Sequence, residues 1–509
     1  MNLDPRTPVI VGVGQAAERI DEPDYRAMSP VELAAAAAQA AIDDCGAAAV
    51  APAIDTIAGV RQFEISGPVA NAVLGRSNNY PRSVAKRIGA EPARAILEIV
   101  GGQGPQHLIS ELADAIAAGR SEVALVFGSD ATSTLRHFAH ADTKPDFSET
   151  LNGDAGDLED RGHGIDRLIS RYTVIHGLTS APIQYALLEN ARRAGTGSGP
   201  AEYRRQMGEL FAPFSKVAAG NPFAAAPVER SVDELITVTE RNRMISEPYP
   251  RLMVARDQVN QGAAALLMSV EAARRLGVPE ENWGYLHGHA DLEEQSLLER
   301  PDLGHAPSAV MAVREALAMA GIGADDVATF DLYSCFPVPV FNICDGIGIA
   351  PDDPRGLTLT GGLPFFGGAG NNYSMHAVAE TVAKMRSTPG QFGLVGANGG
   401  LLSKYSVGVY STTPAEWKPD RSAQLQAQVA SWPTQVVTEK ADGTGTVETY
   451  TVRRDDGRPT GIIIGRQDDD SRFLSTTEDD ELIALLTDGD PLGREVRVRS
   501  FDYGNRCFL

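Results

Sequence analysis

Gly361 to His376 reads Gly-Gly-Leu-Pro-Phe-Phe-Gly-Gly-Ala-Gly-Asn-Asn-Tyr-Ser-Met-His, with five glycines and two asparagines at the mouth of a predicted helix. Glycines admit positive φ and carry no Cβ to hold a ligand off. A helix starting at Asn371 or Asn372 aims free N–H groups at an anion or a developing oxyanion. Leu363, Pro364, Phe365 and Phe366 are poor composition for a solvated turn, so we read a functional loop, with Gly367 and Gly368 as points of close approach. A second turn, Gly101-Gly102-Gln103-Gly104, opens another predicted helix, and His107 follows it much as His376 follows the first. Asn398, in Ala397-Asn398-Gly399-Gly400, offers a third amide donor. Tyr333-Ser334-Cys335-Phe336 ends a predicted strand with a hydroxyl able to donate a proton and the one thiol of the candidate site. Each residue also has a plainer role. Tyr333 suits a buried hydroxyl bonded to backbone, Cys335 a small inert hydrophobe, the histidines helix packing, and the asparagines caps or turns.

Regular elements must hold these residues, and the pattern supplies them twice. Pro8 to Val13 is a buried strand. Its Gly12-Val13-Gly14 is not a dinucleotide fingerprint, because Glu18 to Pro23 cannot continue as the crossover helix. Ser29-Pro30-Val31-Glu32 sets an N-cap, a first-position proline and a capping-box glutamate before a helix that stops at Gly46. Strand Ile54 to Val60, helix Arg82 to Ile88, strand Ala93 to Val100, a helix ending at Gly119 and strand Glu122 to Phe127 complete a βαβαβ order. The texture then changes over about 130–262, with helices near Ala181 to Arg193 and Ala201 to Leu210. This reads as an insertion that selects substrate. From Trp283 the first order returns: strand Gly284 to His289, helix Ser308 to Ala320, strand Val327 to Tyr333, the glycine loop, helix Tyr373 to Met385, and strands Phe392 to Gly396 and Ser406 to Tyr410. Two similar halves, 1–282 and 283–413, would bring both glycine turns to a shared axis. After a linker at Trp417 to Asp420, the alternating runs Thr434 to Val437, Thr446 to Val452, Thr460 to Ile464, Arg472 to Ser475 and Glu495 to Phe501, with one helix near Asp479 to Leu486, predict a separate antiparallel β-barrel over 421–509.

The formal charge of −22 over 509 residues argues against nucleic acid or an anionic membrane as partner. No apolar run approaches the roughly 18 residues of a membrane span, and the start, with Asp4 and Arg6, lacks the form of a secretory signal, so a cytoplasmic location is expected. Cys45, Cys335, Cys344 and Cys507 form no CxxC pair, which excludes a disulfide scaffold or a structural zinc site. The acidic stretch from Asp154 to Asp166 resembles a metal site in composition only and reads as a solvated loop, so no metal is expected.

With the doubled unit and both glycine turns in view, Pro8 to Thr412 resembles the thiolase superfamily, specifically the sterol-carrier-protein type thiolases and the bacterial thiolase-like proteins of type 1. The resemblance rests on Ile99 to Gly104, Asn260-Gln261-Gly262-Ala263-Ala264-Ala265, Tyr333 to Phe336, Gly361 to Gly368 and Ala397 to Gly400. It implies an acyltransferase fold of lipid metabolism that acts on CoA or acyl-CoA, with no other cofactor, and that pairs in many members as a homodimer. It also implies four chemical positions that are all altered here. Gly101 stands for the nucleophilic cysteine, Tyr333 for the histidine of the thioester-binding segment, Gly368 for the activating histidine and Gly396 for the late acid–base cysteine. A glycine can neither be acylated nor move a proton, so ordinary thiolase activity is expected to be weak or absent. Two alternatives stay open. One is a carbon–carbon bond lyase of retro-aldol type on a CoA ester, with Tyr333 as proton donor and the barrel as a fused form of the OB-type partner of such aldolases. The other is a non-enzymatic acyl-CoA-binding scaffold.

Overall fold

A computed structural model of the chain describes residues 3–67, 71–151, 157–165, 168–454 and 457–509. Its first sheet runs Pro8–Ala17, Gln261–Ser269, Val123–Asp130, Thr56–Gly59, Arg94–Leu97, Leu158–Asp160. The second runs Tyr285–Glu293, Lys404–Ser411, Phe392–Gly399, Val327–Leu332. In both, the first two neighbour pairs are antiparallel and the third is parallel. The doubling read from the order of elements is therefore a doubling of topology, one sheet carrying two extra strands.

Each half has one helix outside its sheet and one inside. Pro30–Asp44 lies on the outer face of the first sheet, started by Ser29, whose Oγ accepts from the Glu32 N–H at 3.2 Å while Glu32 returns a bond to the Ser29 N–H at 2.7 Å. Pro307–Ala320 does the same for the second sheet and ends at Gly321 with φ +75°. Gly104–Ala117 and Tyr373–Ser387 lie between the sheets, where Leu108, Ile109, Leu112, Met375, Val378 and Val382 share one apolar cluster with strands of both. Packing these two helices between the sheets brings their buried N-termini, and thus both glycine turns, together at the interface of the two halves. There the Asn371 side-chain oxygen Oδ1 accepts from the Gly101 N–H at 3.0 Å, and the Ser374 hydroxyl donates to the Gly102 backbone carbonyl at 2.6 Å.

Several elements differ from expectation. Pro337–Ile347 is an α-helix, with Pro337 and Pro339 in its first turn, where a missing N–H costs nothing. Ser422–Val429 is a helix at the edge of the expected linker. Thr434 to Val437 makes only an isolated bridge to Arg472, and the fifth barrel strand is instead Gly504–Phe508. The barrel closes in the order Gly443–Arg453, Thr460–Gln467, Arg472–Thr477, Gly504–Phe508, Glu495–Phe501 and back to the first, with the helix Asp480–Asp488 between its third and fourth strands in sequence. All its pairings are antiparallel save Arg472–Thr477 with Gly504–Phe508, the order of an OB-type barrel.

The barrel docks on the insertion. Asn190 donates to the Tyr450 carbonyl at 2.9 Å, Arg193 pairs with Asp490 at 2.9 Å, and Thr451 donates to the Glu247 carbonyl at 2.8 Å. Leu187, Leu298, Ile462, Ile464 and Leu474 close an apolar seam behind these bonds. Among the described residues no helix is long and apolar enough to cross a membrane.

Candidate functional site

Tyr333, Cys335, Asn398 and the two glycine turns converge at the carboxyl ends of the second sheet's strands. The Tyr333 ring packs on Tyr373, centroids 5.3 Å apart, and its hydroxyl lies directly over Gly102, with no hydrogen-bond partner among the described residues. Tyr333 is 8% exposed, and burial pushes its pKa well above that of a free tyrosine, so it keeps its proton. The Cys335 thiol faces the Asn398 amide at 3.8 Å, and burial pushes its pKa up to about 12, the opposite of what a nucleophilic thiolate requires. Asn398 also donates to the Tyr185 hydroxyl at 2.8 Å, and that hydroxyl accepts from the Leu402 N–H at 3.0 Å.

Of the four altered positions, Tyr333 carries a bulky side chain of its own, and a side chain at Gly101 or Gly396 would collide with a neighbour. A Cβ on Gly101 would collide with the Gln103 side-chain oxygen Oε1, and its φ of +143° already disfavours any side chain. A Cβ on Gly396 would collide with the Tyr405 hydroxyl and lie 3.1 Å from that ring's Cζ. On Gly102 it would lie 2.5 Å from the Tyr333 ring. On Gly368 it would stand 3.3 Å from both the Arg256 carbonyl and Leu363, at the limit of contact. Gln103 and Tyr405 thus occupy the volume that side chains at Gly101 and Gly396 would need, and Tyr333 that of a side chain at the neighbouring Gly102.

The remaining predicted residues are held by protein groups. Beyond its bond to Gly101, Asn371 donates to the Arg61 carbonyl at 2.8 Å and the Ser66 hydroxyl at 2.9 Å, tying the glycine loop to the first half. Asn372 donates to the Gly128 carbonyl at 2.7 Å. The buried His376 donates its Nδ1–H to Gln15 Oε1 at 2.7 Å, and burial lowers its pKa to about 3, so it is neutral. Gly367 and Gly368 are buried, and Gly368 donates its N–H to the Arg256 carbonyl at 2.7 Å. His107 lies apart from this cluster, 3.4 Å from Asp291 and 3.6 Å from Glu111. Burial alone would lower its pKa, but Asp291, Glu98 and Glu111 together raise it to about 9. Glu98, His107 and Glu111 bring ligand atoms within 4.8 Å of one another, yet Arg161 already binds both carboxylates, at 2.7 and 2.6 Å. In the acidic stretch, Asp154 and Asp166 lie outside the described residues. Its described part holds the strand Leu158–Asp160, whose Glu159 pairs with Arg94 and Arg161 at 2.8 Å each.

A cleft of about 960 Å³ in the insertion backs onto the glycine loop. Arg136, Arg230, Arg241, Arg243, Arg251 and Arg256 line it, against Asp233, Glu234 and Asp257. Arg136 pairs with Asp257 and Arg230 with Glu234, while among the described residues no carboxylate lies within ion-pair reach of the other four. Pro364 of the glycine loop forms part of the wall. Two backbone bonds, Arg256 N–H to Leu363 O at 3.0 Å and Ala255 N–H to Cys335 O at 3.1 Å, join the cleft floor to the Tyr333 cluster. Net charge hid this cleft from the sequence reading. The local signal was Arg241-Asn242-Arg243 followed by Arg251 and Arg256.

Residues 424–502 match the family model of the additional C-terminal domain of thiolase-like protein type 1. No curated protein sequence matches the chain. Among solved structures, a monomeric SCP2-thiolase like protein type 1 from Mycobacterium smegmatis is 58% identical, with a TM-score of 0.87 over 100% of both chains. The Ltp2-ChsH2(DUF35) aldolase is 20% identical, with a TM-score of 0.56 over 80% of this chain and 98% of that one. The dimeric peroxisomal thiolase of Saccharomyces cerevisiae is 13% identical, with a TM-score of 0.56 over 80% of this chain and 98% of that one. At such identities the last two show a common fold.

Proposed function

Given that the chain belongs to the SCP2-thiolase-like proteins of type 1, within the thiolase superfamily, we propose that it binds CoA or an acyl-CoA and does not run the cysteine chemistry of a thiolase. The observation that carries the binding is the arginine cleft. Six guanidinium groups face three carboxylates in a protein of net charge −22, at a wall shared with the glycine loop. Guanidinium groups suit phosphate through paired N–H donors, and CoA ends in a 3′-phosphate and a pyrophosphate. Its pantetheine arm would then run past Pro364 toward Tyr333. The filled positions at Gly101 and Gly396 support the lack of thiolase turnover.

The protein would act in lipid metabolism in the cytoplasm, as a monomer. The edge strand Arg94–Leu97 is covered by Leu158–Asp160 of its own chain, which leaves less open edge for a second copy. Titration calorimetry tests the reading. CoA should bind and pantetheine should bind far more weakly, and Arg243→Gln with Arg251→Gln should weaken CoA at least about tenfold. Equal binding of CoA and pantetheine would remove the cleft from the reading, and no binding of either would leave a scaffold that senses something else.

One observation favours a second reading, the retro-aldol lyase: the protonated Tyr333 hydroxyl over Gly102 has no protein partner among the described residues and is free to donate to a substrate oxygen. Turnover of a 3-hydroxyacyl thioester that collapses in Tyr333→Phe would establish it.

A further inference from the structure

A cavity of about 220 Å³ shares no lining residue with the arginine cleft. It lies where the loop after Tyr285–Glu293 meets the helix Ala181–Thr196 and the turn before Lys404–Ser411. Ile99, Leu297 and Leu401 form its apolar side, and Arg300, Gln184 and Lys404 its polar side.

Arg300 is the unusual member. It is 2% exposed; its Nε donates to the Gln295 carbonyl at 3.0 Å, its Nη1 is buried without a partner, and among the described residues no carboxylate lies within 4 Å of it. Glu294 also lines the cavity, but its two oxygens are taken by the Gln295 and Ser308 N–H groups, each at 2.9 Å. Glu293, the other acid there, is exposed. Arg472, whose guanidinium donates to the Arg300 carbonyl, adds a second buried positive charge nearby, itself paired with Glu448 at 2.6 Å. Lys404 is 8% exposed and donates to two carbonyls, Gly164 at 2.8 Å and Val100 at 3.5 Å. A guanidinium sealed from water with an unused donor is costly, and the cost is recovered when an anion supplies the missing acceptors.

We propose that this cavity binds a small organic carboxylate with an unbranched apolar chain, its carboxylate on the Arg300 guanidinium and its chain along Ile99, Leu297 and Leu401. An adjoining cavity of about 190 Å³ shares Ile99, Glu293 and Lys404 with the first and reaches Gln103 and His107, giving the chain room to extend. A planar guanidinium holds a carboxylate through two parallel N–H···O bonds, which an amide of the same shape cannot reproduce. The cavity shares no lining residue with the arginine cleft, so the carboxylate and the phosphates of CoA would not compete for the same side chains.

Titration calorimetry of the full chain with sodium hexanoate and with hexanamide, each with and without saturating CoA, tests the proposal. Hexanoate is expected to bind at least about tenfold more tightly than hexanamide, with CoA present or absent. Arg300→Gln is expected to abolish that preference. Leu297→Trp, which fills the apolar side and leaves Arg300 in place, is expected to abolish binding, and it decides the matter if Arg300→Gln does not fold. Equal affinity for acid and amide, no binding of carboxylates from acetate to decanoate, or unchanged hexanoate affinity in folded Leu297→Trp would each overturn it.

Discussion

Restoring a thiol at Gly396 distinguishes a centre that has been refilled from one that has merely lost its reactive groups. A Cβ there collides with the Tyr405 hydroxyl, lies 3.1 Å from the ring Cζ and 3.3 Å from Leu332 Cδ2, inside the ~3.5–4.0 Å of ordinary carbon contact. Tyr405 is 3% exposed, so its ring cannot swing into solvent. Overpacking of this kind costs about 1–3 kcal/mol, and the sulfur beyond the Cβ places Gly396→Cys near the upper end, at about 3 kcal/mol. The buried Tyr405 hydroxyl has no hydrogen-bond partner among the described residues, so Tyr405→Phe alone is expected to be neutral or to stabilise by about 1 kcal/mol. In the Tyr405→Phe background the oxygen is gone, and Gly396→Cys should then cost about half as much, a coupling of about 1–2 kcal/mol between the sites. Urea unfolding of the four proteins, followed by circular dichroism, measures this cycle. A Gly396→Cys variant as stable as the parent, or a loss that Tyr405→Phe leaves unchanged, would refute the repacking argument.

Asn371→Ala removes three hydrogen bonds and leaves the buried Gly101 N–H without its acceptor, so it should lower stability by about 2–4 kcal/mol in the same assay. Because His107 is raised from 6.5 to about 9 in the folded protein, its interaction with Asp291 stabilises fully below pH 6.5 and is lost as pH rises through about 9. Unfolding midpoints should fall over that window, and Asp291→Asn should flatten the decline. With a pKa near 12, Cys335 carries about one thiolate in ten thousand at pH 8, so iodoacetamide should label it at least about a hundredfold more slowly in the native chain than in urea, as read by peptide mass spectrometry.

The doubled fold was legible because buried parallel strands are near-continuous apolar runs and because Ser29, Gly46, Gly119 and Gly321 mark helix ends by mechanisms that act locally. The helix Pro337–Ile347 was not read from the sequence, because its two prolines are helix-compatible only in the first turn. The last barrel strand, Gly504–Phe508, is short and its closing contact with Arg472–Thr477 is parallel, a pairing that no local pattern announces. The resemblance indicated which four chemical groups were missing, but not what replaced them. Gln103 reaches Gly399 from the other half of the chain, and Tyr405 reaches Gly396 across a strand pair, so both fillings exist only in three dimensions. The arginine cleft and the unpaired Arg300 were invisible for a related reason. A net charge of −22 says nothing about where cations gather once the insertion has folded.

The central claim, that a thiolase fold here binds a CoA thioester without thiolase chemistry, is tested most directly by incubating the purified full chain with acetoacetyl-CoA and CoA and following both binding and products by mass spectrometry. The expected result is a saturable complex with acetoacetyl-CoA and no acetyl-CoA above the uncatalysed background. Formation of acetyl-CoA at the rate of an ordinary thiolase would contradict it.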